Sequence, residues 1–212
     1  MPDYSLIYTA IGDSLSVGTG SLLAPGFEKR YAKLTEQALQ HTVKVNIFAK
    51  NGATSGEILQ RMYDNKVRTG IYHASIITIT AGGNDLIHAA REYAKTQQPY
   101  LFEQAIHQFS INMSNIMQEI YAIKASSPFM IRLVGLYNPF PSLEGSDYYV
   151  QSFNHHLQSF SNANTKVADI FYPFKHYGKK VLFLDGLHPN GKGYQVIAEV
   201  LYQLGYYPLR YY

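Results

Sequence analysis

Ser14 stands in the run Ile11-Gly12-Asp13-Ser14-Leu15-Ser16, directly behind an apolar stretch from Leu6 to Ile11. A serine hydroxyl is a weak nucleophile until a neighbouring base removes its proton. Near the other end of the chain, Asp185-Gly186-Leu187-His188-Pro189 offers such a base and its orienting acid together. The three-residue spacing lets a single turn bring the Asp185 carboxylate to the far ring nitrogen of His188, as a nucleophile–base–acid triad requires. Attack on a carbonyl also builds negative charge on oxygen, which needs hydrogen-bond donors fixed in advance. The backbone N–H of Ser14, the N–H of Gly52 in Asn51-Gly52-Ala53-Thr54, and the side-chain amide of Asn84 in Gly82-Gly83-Asn84-Asp85 are the candidate donors. Gly52 suits the role because, lacking a Cβ, it allows close backbone approach. Asp13 and Asp85 read as braces for the loops that aim Ser14 and Asn84. The chemistry these residues could perform is acyl transfer from a carbonyl substrate to Ser14 and then to water.

These groups are far apart in the chain, so the fold must gather them. Apolar, β-branched runs at residues 6–11, 43–49, 75–81, 129–136 and 165–171 alternate with helical patterns, which predicts a parallel sheet covered on both faces. Phe27, Tyr31, Leu34 and Ala38 share one helical face, as do Ala105, Phe109, Met113, Ile116 and Ile120. Residues 55–63 and 147–161 are further helix candidates. A last helix is expected to begin at Pro189 and to bury Ile197, Val200, Leu201 and Leu204. In a right-handed doubly wound sheet the loops after the strands collect along one edge. Ser14, Gly52 and Asn84 follow the first three strands, and Asp185 and His188 precede the last helix. Residues 86–100 and 137–149 read as loops flanking Ser14. In the second of these, Phe140 and Tyr137 are candidate walls for the substrate.

Composition narrows the alternatives. The 212 residues are expected to form one domain spanning 1–212, and a 46% hydrophobic content argues for a packed core. Without cysteine, disulfides, thiolate metal sites and cysteine nucleophiles are excluded. A net charge of +3 from scattered Lys and Arg makes no nucleic-acid footprint, so no nucleic-acid partner is expected. No apolar run approaches a membrane span, which leaves at most peripheral membrane contact. Met1-Pro2-Asp3-Tyr4 shows no leader pattern, so the expectation is a cytoplasmic protein, with a spore coat or secretion of a processed form as alternatives. No metal or cofactor site is expected. Adjacent His155 and His156 do not share a helical face. Gly18-Thr19-Gly20 lacks the spacing of a phosphate loop. The tyrosine-rich end from Tyr206 to Tyr212 reads as packing on its own domain.

Four ordered blocks, Gly12-Asp13-Ser14-Leu15, Asn51-Gly52, Gly82-Gly83-Asn84-Asp85 and Asp185-Gly186-Leu187-His188-Pro189, resemble those of the SGNH (GDSL-type) hydrolases over nearly the whole chain. The resemblance extends to the bacterial lipase/acylhydrolase branch, which includes Bacillus-type spore lipases. It implies a flavodoxin-like three-layer α/β/α sandwich with a five-stranded parallel sheet in the order 2-1-3-4-5. It further implies Ser14 as nucleophile, Gly52 and Asn84 as oxyanion donors, Asp185 and His188 completing the triad, and hydrolysis of esters or thioesters without a metal. A small-molecule or lipid ester is the expected substrate. A carbohydrate acetylesterase or thioesterase is the alternative within the same scaffold, and a silent coat or binding protein the alternative outside enzymes. No Gly-x-Ser-x-Gly elbow and no long lid insertion are present, so the site is expected to be open.

Overall fold

A computed structural model describes residues 5–124 and 128–209. Residues 1–4, and Arg210, Tyr211 and Tyr212 of the tyrosine-rich end, lie outside the described residues. Five parallel strands, β1 (Leu6–Gly12), β2 (Val43–Ala49), β3 (Ile76–Thr80), β4 (Met130–Val134) and β5 (Thr165–Ala168), form one sheet in the order β2-β1-β3-β4-β5. Register is continuous across it: Tyr8 faces Val45 on one side and Ile76 on the other, and Ile77 pairs with Ile131. Every residue of β3 and β4 is buried, which explains why those strands read as mostly apolar rather than alternating, with Arg132 the buried charge at the centre of β4.

Nine helices accompany the strands among the described residues: α1 (Ser14–Val17), α2 (Phe27–Leu39), α3 (Ser55–Arg61), α4 (Asn65–His73), α5 (Gly83–Thr96), α6 (Tyr100–Ile123), α7 (Ser146–Gln158), α8 (Phe171–Tyr177) and α9 (Gly191–Gln203). One face of the sheet packs Ile11, Ile77, Ile79 and Leu133 against Phe109, Met113 and Ile116 of α6, Phe153 of α7, and Ile58 and Ile71 of α3 and α4. The other packs Tyr8, Ala10, Met130 and Val134 against Phe27 and Tyr31 of α2 and Tyr194, Ile197 and Leu201 of α9. The expected three-layer sandwich and strand order are both observed. In this topology β1 leads to β2 on one side while β3 lies on the other. The crevice of the fold therefore opens at the carboxyl ends of β1 and β3.

The structure corrects several local expectations. Residues 86–100 are not a loop: most of them belong to α5, which buries only Ala89. A helix with so narrow a buried face leaves little apolar periodicity to read. α4 was not legible because Gly70 sits in its middle, where it admits the Phe48 ring: a Cβ there would stand 2.4 Å from Phe48 Cε2. The fifth strand stops at Ala168, since Asp169 Oδ1 accepts from Phe171 N–H at 2.9 Å and turns the chain into α8. Pro189 does not open α9. It pairs with Leu182 in an antiparallel bridge, and Asn190 caps the helix by accepting from the N–H groups of Lys192 and Gly193.

Candidate active site

Ser14 is the first residue of α1, two positions past the end of β1, and is 6% exposed. Asp13 caps this short helix, its Oδ1 accepting from Leu15 N–H at 3.0 Å. The same oxygen accepts from the Thr80 hydroxyl at 2.8 Å, while Asp13 N–H donates back to Thr80 Oγ1 at 3.1 Å. Ser16 Oγ stands 3.0 Å from Thr80 Oγ1 and completes the network. Burial pushes the Asp13 carboxyl above its ordinary range, against the bonds from Thr80 and Leu15 that favour its ionised form. The nucleophile turn is thus tied to the end of β3. The approach is close enough that a Cβ on Gly12 would stand 2.1 Å from Thr80 Oγ1 and 2.4 Å from Thr80 O. Thr80 was not singled out in the sequence, where it is one more β-branched strand residue.

The candidate base, His188, arrives on a hairpin-like loop. Leu182 and Pro189 bridge its two arms, Phe183 N–H donates to His188 O at 2.7 Å, and Gly186 makes the tip at φ +68°. Asp185 Oδ1 accepts from the N–H groups of Leu187 and His188, both at 2.9 Å, and Oδ2 stands 2.6 Å from His188 Nδ1. Partial burial would raise the Asp185 carboxyl. The bonds from the His188 ring and the two N–H groups outweigh it and hold the carboxyl below its usual range. His188 Nε2 lies 3.0 Å from Ser14 Oγ. With a proton on Nδ1 directed at Asp185, Nε2 is left bare to accept the Ser14 proton. The three residues expected to form the triad therefore meet within hydrogen-bond distance.

The expected oxyanion donors lie on the neighbouring loops. Lys50 N–H donates to Gly12 O at 3.1 Å and Ala53 N–H to Lys50 O at 3.2 Å, which folds the loop carrying Gly52 against the end of β1. Gly52 has φ +74°, a conformation that favours glycine. Asn51 Oδ1 accepts from Thr19 Oγ1 at 2.6 Å and links this loop to the nucleophile segment. Asn84, in the first turn of α5, donates one amide N–H to Ala53 O at 2.9 Å. A primary amide has two such hydrogens, so the bond orients the group and leaves a second to donate, with no partner for it among the described residues. Asp85 braces α3 against α5, accepting from Ser55 N–H at 2.9 Å and from Ser55 Oγ at 2.6 Å. That is the structural role its sequence position suggested.

The two candidate substrate walls differ. Phe140 is 45% exposed on the loop after β4. Tyr137 turns its hydroxyl to Leu187 O at 2.5 Å and stacks its ring on Phe174 at 4.3 Å between centroids, so it buttresses the loop that carries His188. Tyr194 does the same for the nucleophile segment, donating to Thr19 O at 2.6 Å. His88 is exposed on α5, and among the described residues no group of three His, Asp or Glu side chains is arranged to hold a metal ion.

The chain matches the model of the GDSL-like lipase/acylhydrolase family over residues 10–196. It is 37% identical to the spore germination lipase LipC of Bacillus licheniformis over 206 residues, covering 95% of this chain and 97% of that protein. The crystal structure of the lipase Lip_vut3 from a goat rumen metagenome superposes with a TM-score of 0.91 at 38% identity, covering 95% of this chain and 98% of that one. The fold extends to a Clostridium thermocellum family 3 carbohydrate esterase at TM-score 0.64 and 19% identity, covering 94% of each chain. With a serine, histidine and aspartate gathered at the carboxyl edge of a 2-1-3-4-5 sheet, the chain belongs to the GDSL-like lipase/acylhydrolase family of ester hydrolases.

Proposed function

We propose that the protein hydrolyses acyl esters of lipid type through an acyl-enzyme on Ser14. His188 takes the Ser14 proton as the oxygen attacks the ester carbonyl, and Asp185 holds the imidazole in its tautomer and stabilises the cation. The N–H groups of Ser14 and Gly52 and the free N–H of Asn84 receive the oxyanion. His188 then returns the proton to the leaving alcohol, and a water activated by the same imidazole releases the acid.

The observation that carries this reading is the unbroken chain from Asp185 Oδ2 through His188 to Ser14 Oγ, at 2.6 and 3.0 Å. The lipid character is supported by two relatives near 40% identity that are themselves called lipases. The test is hydrolysis of p-nitrophenyl esters from acetyl to palmitoyl by wild type, Ser14→Ala and Asn84→Ala. The expected outcome is a rate that rises with chain length and vanishes in Ser14→Ala. Asn84→Ala should lower kcat by about 10²–10³-fold. Activity confined to acetyl esters would favour a carbohydrate deacetylase instead, and normal turnover by folded Ser14→Ala would overturn the mechanism.

A further inference from the structure

Three leucines next to the triad are almost wholly exposed: Leu22 at 79%, Leu23 at 105% and Leu184 at 96%. Isolated exposed leucines need no explanation, but contiguous ones do. These sit on two loops in direct contact, because a Cβ on Gly20 would stand 3.0 Å from Phe183 Cβ, 3.1 Å from His188 Cβ and 2.6 Å from Pro189 O. Leu184 immediately precedes the triad acid. Leu22 and Leu23 are held out by a braced turn: Ser21 Oγ donates to Gly18 O, Ala24 N–H to Ser21 O and Arg30 Nε to Pro25 O. Leu22 itself adopts φ +54°, a left-handed conformation uncommon outside glycine.

Beside these leucines the surface is basic. Lys179, Lys180 and Lys192 are exposed around the start of α9, and the Arg30 guanidinium lies 3.7 Å from where a Cβ on Gly191 would stand. Of the acids nearby, Glu28 is turned to the interior, and the Asp185 carboxylate, bonded to the His188 ring, is the negative charge set against these lysines and Arg30. The opposite rim is apolar at Phe140 and Leu143, but Glu144 lies there and Asp147 is paired with Lys175, so the excess of positive charge is on the leucine side. No helix among the described residues is long and apolar enough to cross a membrane. An apolar prow flanked by lysines fits a surface that is greasy within and negative at its headgroups.

We propose that Leu22, Leu23 and Leu184, with Lys179, Lys180 and Lys192 behind them, form a docking face that seats the enzyme on an anionic phospholipid bilayer with Ser14 at the lipid boundary. This rests on the lipid-ester reading above. It explains why the loops nearest the triad present leucine to water and how an open site without a long inserted lid receives substrate from an aggregate.

The test is co-sedimentation with phosphatidylcholine vesicles with and without phosphatidylglycerol. It uses wild type, the triple variant Leu22→Ser/Leu23→Ser/Leu184→Ser and the pair Lys179→Glu/Lys180→Glu, with hydrolysis of soluble p-nitrophenyl acetate measured alongside. The expected result is binding that requires phosphatidylglycerol and falls about tenfold or more in the triple variant. In the lysine pair it should fall at least about fivefold per residue, since each change inverts a charge, with soluble-ester turnover unchanged in both variants. Equal binding by wild type and the triple variant, or no binding by either, would overturn the docking face even if the soluble ester is cleaved normally. Self-association of wild type that the triple variant loses, without vesicle binding, would overturn it in favour of a second copy of the chain. Leucine-dependent vesicle binding by a protein that cleaves no ester would uphold the docking face and overturn the proposed function.

Discussion

Ser14 and His188 face each other across 3.0 Å, yet the segments that carry them are held by different means. The nucleophile turn is part of the core: Gly12 and Asp13 are buried, and Asp13, Ser16 and Thr80 form a closed polar network between the ends of β1 and β3. The base loop lies outside the core. Asp185 is exposed, and the loop keeps its shape through the Leu182–Pro189 bridge, the two N–H bonds to Asp185 Oδ1, and the Tyr137 hydroxyl on Leu187 O. The contrast teaches that one half of the site depends on folding free energy and the other on a few local hydrogen bonds. Damage to the packing that holds the first should unfold the protein; damage to the second should cost rate and leave the fold.

The largest expected effect is on the base side. Asp185→Asn keeps the side-chain shape but presents an N–H or a weaker acceptor to His188, so kcat should fall by about 10⁴-fold. Because Asp185 is exposed, its urea midpoint should move little; a large loss of stability would break the comparison.

Gly12→Ala is the counterpart on the nucleophile side. Its Cβ would collide with Thr80 Oγ1 and with the Thr80 backbone oxygen, which cannot swing away. A loss of more than about 4 kcal/mol in urea unfolding, or of soluble protein altogether, is expected. A stable but slow enzyme would show that this turn adapts as the base loop does.

Glu28 sharpens the comparison through pH. It is buried in α2, its Oε1 has no hydrogen-bond partner among the described residues, and its charge would act on the hydroxyls of Tyr8 of β1 and Tyr194 of α9. Burial pushes its carboxyl up to about 8, against the opposing influence of its own backbone N–H and Lys29. In the folded protein it is therefore neutral where the unfolded chain has already ionised. Stability should fall as pH rises from about 4.5 to 8 and level off above. Glu28→Gln should remove roughly 3 kcal/mol of that fall, read as urea midpoints at pH 5 and 8.5. An identical pH profile in the variant would contradict the assignment.

The smallest effect is expected of Tyr137→Phe, which deletes the bond to Leu187 O while keeping the stack on Phe174. About 1 kcal/mol of stability and less than tenfold in kcat should be lost, with KM unchanged. A raised KM at constant kcat would instead restore Tyr137 as a substrate wall.

How much of this was legible in the sequence depends on the range of the interaction concerned. Ser14, Gly52, Asn84, Asp185 and His188 stood out because each lies in a short run with a stated chemical use, and β3 and β4 because burial on both faces makes them mostly apolar. Asp185 and His188 are near neighbours in the chain, so their pairing could be anticipated from spacing. Thr80 could not: its value lies in reaching Asp13 across the sheet, which no local pattern records. Tyr137 was noticed as an aromatic near the site, but its partner is the carbonyl of Leu187, fifty positions away. α5 was missed because it buries one residue, and Pro189 was placed in the wrong role because a bridge to Leu182 competes with helix initiation.

The central claim is that Ser14 is the nucleophile, and covalent trapping tests it most directly. Intact-mass spectrometry after a fluorophosphonate treatment should show one adduct on the wild type, mapped to Ser14, and none on folded Ser14→Ala. An adduct of equal yield on the variant, or one mapped to another serine, would contradict the account.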